Sequence, residues 1–249
     1  MNLTSGAGMQ QLFYSVVLVF LSVDPAVAQD LPFSIVNEEA LTARTIQLIA
    51  LVTLLSLAPG IAIMVTCFPF LVTVFSILRQ ALGMQQSPPN MLIISLALFL
   101  TYFIMDPVFT AAWENGLQPL LNDSMELEEG VERTLLPFRN FMAVQVDVDT
   151  FMSMASMRPD TIPIPPGPDA PLSLLIPSFL LSEISRAFQI GFLIFLPFLI
   201  IDLVVAAVLM SMGMMMVPPA IVSLPFKLAF FVVADGWSLI SGALVRSYI

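Results

Sequence analysis

Apolar residues run along this chain in long blocks, separated by short polar punctuation and one long acidic interval. The first block turns apolar at Thr42 and holds from Ile46 to Leu78. A helix needs about 20 apolar residues to cross a bilayer core of ~30 Å, so this block is too long for one simple crossing. Pro59-Gly60 falls after its first half and Pro69 marks a second irregularity, which predicts a kinked or interrupted helix. Such breaks are tolerated at membrane depth where the backbone lies against protein or lines a cavity. The polar run Arg79 to Asn90, RQALGMQQSPPN, reads as a short hairpin. Met91 to Ala112 then forms a second helix, with Asp106-Pro107 near its end. A third block extends from Leu172 to Met216, again too long for one crossing, and stops at Pro218-Pro219. The last apolar segment is Ala220 to Ile249. The layout is therefore two apolar hairpins, each closed by a Pro-Pro turn, and no stronger internal repeat is visible.

Between the hairpins, residues 113 to about 172 differ sharply. They hold ten acids against three bases, Arg133, Arg139 and Arg158. A water-exposed region with two short helices is expected. Asp123 with Glu126 three residues on is a capping pattern for the first. Val131, Leu135, Phe138 and Met142 then recur at helical spacing, with Pro137 as an interruption. A second helix can start at Asp147 or Asp149. Six prolines in the fourteen residues from Arg158 to Pro171 make an extended loop. The carboxylates read as a solvated face, since no calcium-loop spacing appears.

The amino-terminal stretch carries a short apolar run, Leu12 to Val23, broken by Pro25 and followed by Ala26-Val27-Ala28. That is the pattern of a secretory signal cleaved after Ala28, although residues 1–11 contain no Lys or Arg. A retained anchor is the alternative. Residues 29–41 are mixed and acidic and read as an exposed arm with room for a short strand. Arg79, the only charge of the first hairpin turn, is a thin positive-inside signal for the cytoplasmic side.

Composition narrows the class. The chain has 249 residues, 58% hydrophobic and only 10% charged, whereas soluble domains carry roughly 25% charged residues. It is read as an integral membrane protein. A net charge of -10 argues against nucleic acid as a partner. Histidine is absent and Cys67 is the single cysteine. This removes most metal sites, His-dependent catalysis and any internal disulfide, and no cofactor is implied. Cys67 itself reads as buried packing.

Few ionisable groups lie in the apolar blocks, and such groups usually face the protein interior or a cavity. Glu183 and Arg186 are three apart on one helix face and can pair. Asp202 lies deeper, where burial against partner helices and a proton role are both open. Lys227 and Asp235 are eight residues apart, about 12 Å along a helix, so they do not pair with each other. Lys227 can instead reach Asp202 across the Pro218-Pro219 turn. Just before that turn stand Met210, Met212, Met214, Met215 and Met216. Methionine is flexible and polarizable and refills a changing gap. A pore that opens and reseals would want this cluster, but ordinary membrane core ending in a stop signal is an equal reading.

Several long motifs resemble one family. They are ILRQALG at 77–83, MQQSPPN at 84–90, LALFLTYFIMDPV at 96–108, SEISRAFQIGF at 182–192 and FLPFLIIDLVVAAVLMSMGMMMVPP at 195–219, with LPFKL at 224–228 and DGW at 235–237. Together they are similar to the flagellar branch of the FliP/SctR family of type III secretion export-apparatus proteins. The resemblance covers nearly all of the chain after residue 28. It implies a closed ring of about five copies, completed by FliQ-like and FliR-like subunits, which forms the entrance of an export channel for unfolded flagellar polypeptides. It also implies a methionine gasket, here Met212, Met214, Met215 and Met216. Glu183, Arg186, Asp202, Lys227 and Asp235 are then candidates for polar contacts between helices or subunits. A methionine ring blocks water and ions by dewetting and adapts to any passing sequence. Two departures stand out: Pro69-Phe70 occupies a place where the family often has Thr-Arg, and Arg186 stands where it often has lysine.

The expected fold is thus an all-α membrane protein, with two long kinked apolar helix hairpins flanking a small acidic helical extracytoplasmic domain. The expected divisions are a cleaved signal at 1–28, an arm and first hairpin at 29–112, an acidic periplasmic domain at 113–172, and a second hairpin with the methionine loop at 173–249. The expected place is the bacterial inner membrane, in the flagellar basal body, and no enzymatic activity is expected. The alternative is a small-solute or proton-coupled secondary transporter, which the charges in broken apolar helices fit; the absence of an inverted repeat speaks against it.

Overall fold

The computed structural model describes residues 38–84, 88–122, 124–157, 165–214 and 216–248. These residues are helical or in turns, and no strand occurs among them. The signal-like stretch and the arm up to residue 37, including the strand expected there, lie outside the described residues. The chain divides into two compact units, Met1–Leu54 and Leu55–Ile249.

The described part of the first unit belongs to α1 (Glu38–Met64). Its apolar side chains, such as Ile46, Leu48, Ile49, Leu51 and Val52, are exposed. A helix that shows apolar side chains all round is suited to lipid or to other subunits. From Arg44 to Met64 it is long and apolar enough to cross a membrane. The expected break at Pro59-Gly60 is not there, because α1 runs through Pro59. The interruption comes at Val65–Cys67 instead. Pro69 sits in the first turn of the next helix, a place where a proline costs no hydrogen bond, so a restart just before it suits this proline. Thr66 assists the stop by donating its hydroxyl to the Ile63 carbonyl at 2.9 Å.

In the second unit, α2 (Phe68–Ala81) is the centre. Phe70, Leu71, Val74, Phe75, Leu78, Ala81 and Leu82 are all fully buried. It packs chiefly against α7 (Leu172–Ser211) and also against α3 (Asn90–Ala112). The approach to α7 is close because Gly191 leaves room for Ile77. A β-carbon at position 191 would lie 2.4 Å from Ile77 Cδ1 and 3.2 Å from its Cβ. The turn between α2 and α3 is tied by Arg79, which donates to the Asn90 amide oxygen. α3 continues through a π-helical turn (Trp113–Leu117) into the short α4 (Gln118–Leu121).

The region rich in acids holds α5 (Leu127–Gln145) and α6 (Val148–Ser156). α5 starts with Glu126 at its cap, later than the Asp123 pattern predicts, and Asp123 lies outside the described residues. The delay has a cause: the Ser124 amide and hydroxyl both go to the Pro119 carbonyl, at 3.1 and 2.7 Å, and close the end of α4 first. Pro137 does not interrupt α5. α6 does start at the expected place, with the Asp147 carboxylate accepting from the Thr150 amide at 2.9 Å. The Thr150 hydroxyl, donating to the same carboxylate at 2.7 Å, and then that amide hold the Asp147 carboxyl below its ordinary value. A second small core of Met142, Val146, Phe151, Ala155, Leu174, Leu175 and Phe179 joins α5 and α6 to the start of α7. Arg139 fixes the proline-rich loop by donating to the Pro168 carbonyl at 2.8 Å.

α7 is one unbroken helix of 40 residues despite Pro177 and Pro197. At 1.5 Å per residue it is about 60 Å long. The last apolar segment is not one helix but two, α8 (Pro219–Val233) and α9 (Gly236–Arg246), bent by 61°. Asp235 makes the corner in a left-handed conformation, φ 48°. With α1 and the α3–α4 run, α7 brings to three the helices of membrane-spanning length and apolarity among the described residues, or four if the bent pair counts as one span.

Candidate functional site: a methionine turn and two polar ties

α7 ends at Ser211, and the methionines follow on its cap. Gly213 takes φ 74°, a left-handed conformation open to glycine at no steric cost. Its amide donates to the Met210 carbonyl at 3.1 Å, and the Met214 amide donates to the Leu209 carbonyl at 2.9 Å. These two bonds are the Schellman pattern that satisfies the last carbonyls of a helix. Pro218 and Pro219 then cap and open α8, where proline is pre-shaped for a helix start. The backbone from Leu209 to Met214 is therefore tied, while the described methionine side chains around it are open to solvent. Met210, Met212 and Met214 are exposed, and Met216 is 96% exposed. Met215 lies outside the described residues.

Lys227 on α8 is buried, and its ammonium donates to Asp202 Oδ2 at 2.6 Å and to the Ala81 carbonyl at 3.0 Å. Ser223, one turn earlier, donates to Asp202 Oδ1 at 2.5 Å. The Ala81 carbonyl is at the end of α2, where unpaired carbonyls and the helix dipole both favour a cation. One buried lysine thus joins α2, α7 and α8.

The second tie is built on the preceding turns of α7. Glu183 is fully buried. Its Oε2 accepts from the Tyr248 hydroxyl, while Oε1 has no hydrogen-bond partner among the described residues. Arg186 lies 3.8 Å from Glu183 Oε1, but its hydrogen bonds go elsewhere. Nη1 donates to Gln145 at the end of α5, and Nη2 to the Ser247 carbonyl after α9, both at 2.8 Å. The guanidinium also lies over the rings of Phe70 and Tyr248, at 5.3 and 4.9 Å. Burial, then Glu183, pushes the Tyr248 phenol up. Nearby Cys67 is fully buried, and that burial pushes its thiol up to about 12.

Of the residues singled out from the sequence, Asp202 meets Lys227 and Glu183 meets Arg186. Asp235 joins neither group; it is exposed, and its role is the backbone corner. Pattern reading missed Ser223, Gln145, Tyr248 and the Ala81 carbonyl. A backbone carbonyl has no sequence signal. Tyr248 had one, a lone phenol after an apolar helix, since such a group needs a partner when buried. Among the described residues, no group of three or more His, Cys, Asp or Glu is placed to hold a metal ion.

Long apolar helices cross-linked by a few buried charges define a polytopic membrane protein. A model of the FliP family matches residues 51–244. The chain is 54% identical over 209 residues to the flagellar biosynthetic protein FliP of Caulobacter vibrioides, covering 84% of this chain and 78% of that protein. It is 45% identical over 228 residues to FliP of Rhizobium meliloti, covering 89% and 92%. FliP of Bacillus subtilis is 47% identical over 210 residues, covering 83% and 93%. The chain belongs to the FliP family.

Proposed function

We propose that the chain is a core subunit of the flagellar type III protein export gate and forms the entrance through which unfolded flagellar subunits are secreted. Membership of the FliP family supports the flagellar assignment. The methionine turn carries the channel reading: it presents Met210, Met212, Met214 and Met216 outward at the tip of a 40-residue helix. Several copies in a ring of about five would bring these turns together as a soft apolar constriction. FliQ-like and FliR-like subunits complete the ring, and the exposed apolar faces of α3 and α7 are surfaces for them, for other copies or for lipid. The subunit sits in the bacterial inner membrane within the flagellar basal body. Residues 1–28 are its cleaved signal, residues 29–112 and 173–249 its two hairpins, and residues 113–172 face the periplasm. Glu183, Arg186, Asp202 and Lys227 serve contacts between helices, Asp235 is left for a contact between subunits, and none of them is catalytic. The small-solute or proton-coupled transporter is disfavoured by the family.

Replacing Met214, Met215 and Met216 with alanine tests the gate. The ring should assemble with unchanged native mass and leak small ions in vesicles. Loss of assembly would make the methionines packing residues and sink the gasket. Sequencing the amino terminus of the same preparation tests the signal, which should leave Gln29 first.

A further inference from the structure

The arm formed by α8 and α9 is fastened to α7 at two places. Midway along α8 the fastening is Lys227 with Asp202. At the far end, Arg186 holds the Ser247 carbonyl and Glu183 holds the Tyr248 hydroxyl. Asp202 and Arg186 are sixteen residues apart (202 − 186), about 24 Å along a helix at 1.5 Å per residue. Between the two fastenings the arm is bent by 61°. The corner residue, Asp235, has φ 48° and is not a glycine, a conformation that persists only where the surroundings over-determine it. Phe231 and Trp237 meet edge-on across the corner, with centroids 5.4 Å apart. A β-carbon on Gly236 would strike the Phe231 ring at 2.2 Å, so the inside of the corner is filled.

We propose that Arg186 is a positioning residue: it is the tie that keeps α8–α9 bent against α7, working through Ser247 and Tyr248. The guanidinium uses both arms of its fork here. It donates in two directions, to α5 and to the residue after α9, while its flat face covers two rings. A lysine keeps the charge near Glu183 but cannot reproduce the planar fork. With the tie intact, the corner at Asp235 is closed by fixed ends on either side. With the tie released, the corner opens from the α9 end while Lys227 still holds the other. The consequence for the methionine turn rests on the gate reading above; the tie itself does not.

Amide hydrogen exchange on the full chain in its purified assembly separates the two, because it reads the tie without any transport assay. Arg186→Lys should raise exchange about ten-fold at residues 243–248, as expected for losing one charge-assisted hydrogen bond, and several-fold at the corner, residues 234–239. Amides in the middle of α3 should stay within two-fold of the parent. Tyr248→Phe keeps the ring but leaves the buried Glu183 carboxyl without its one hydrogen bond among the described residues, so it should show the same regional pattern at least as strongly. Unchanged exchange at 243–248 in both variants overturns the tie. Faster exchange at 243–248 with an unchanged corner also overturns it, since Arg186 would then be a local cap. A uniform rise across all helices overturns it as well, since that is general destabilisation.

Discussion

Removing either member of the Lys227–Asp202 pair breaks the same 2.6 Å contact, yet the two losses should differ widely. The Lys227 side chain is 5% exposed and the Asp202 side chain 31%. In Asp202→Leu, the ammonium stays buried with one neutral acceptor, the Ala81 carbonyl at 3.0 Å. Stranding a buried charge costs about 3–5 kcal/mol. In Lys227→Met, the carboxylate keeps its bond from Ser223 at 2.5 Å and about a third of its surface, so the loss should be about 1–2 kcal/mol, below the buried-pair range. In a domain of this size 1 kcal/mol moves the melting midpoint by roughly 2–4 °C. The aspartate variant should therefore melt below the lysine variant by roughly 2–16 °C. The double variant Asp202→Leu/Lys227→Met should return to within about 1 kcal/mol of the parent, since a matched apolar pair often replaces a buried ion pair at no loss. The swap Asp202→Lys/Lys227→Asp should not recover. It would place a carboxylate against the Ala81 carbonyl, where the end of α2 favours a cation. Thermal melting of the purified assembly measures all four. If Lys227→Met is the more damaging single change, or the swap restores the parent midpoint, the burial asymmetry is not what governs this site.

Gly191→Ala should destabilise the α2–α7 contact by about 1–3 kcal/mol through overpacking, because the new carbon meets Ile77 Cδ1 at 2.4 Å. Combining it with Ile77→Ala should cost less than the sum of the single changes, as read by a double-mutant cycle of melting midpoints. Cys67 should resist maleimide at neutral pH in the native assembly, with its thiol pushed up to about 12, and react fully once the chain is unfolded in detergent; native labelling would contradict its burial. Asp147 caps α6 with a carboxyl held below its ordinary value by Thr150. Its stabilising effect is thus fully present above the ordinary carboxylate pKa and fades as pH falls through the lowered folded value. Asp147→Asn should flatten that acid-side loss, as followed by exchange at residues 148–151.

Much of the helical content was legible because apolar length and proline position are direct signals. The start of α6 at Asp147 and the end of the long block at Pro218-Pro219 follow from capping and proline chemistry alone. What stayed hidden depends on choices between neighbours. Pro59 and Pro69 look alike in sequence, but only Pro69 lies where a helix begins, and nothing local tells them apart. The corner at Asp235 did leave a local signal, the Asp235-Gly236 pair, a turn dipeptide whose aspartate tolerates the left-handed conformation, but it stands inside an apolar segment and carries no bend angle. For the polar residues, the Asp202–Lys227 approach could be anticipated from the turn between them. The fork of Arg186 could not, since its partners at 145 and 247 are far away in the chain and one of them is a backbone carbonyl.

The length of α7 has a consequence for the life of the protein in a cell. A helix of about 60 Å is twice as long as a hydrocarbon core of ~30 Å, and its halves differ: most of its buried residues, from Leu174 to Gly191, lie in the first, whereas only 11% of its most apolar stretch is buried. Lipid alone cannot shelter it from end to end. If other subunits cover the exposed faces of α3 and α7, as proposed above, the folded state gains stability with their concentration. Copies made in excess of their partners should be short-lived, since proteolysis drains whatever stays unassembled. The amount of this subunit in the membrane is then set by the scarcest component of its assembly, and raising its own synthesis adds little.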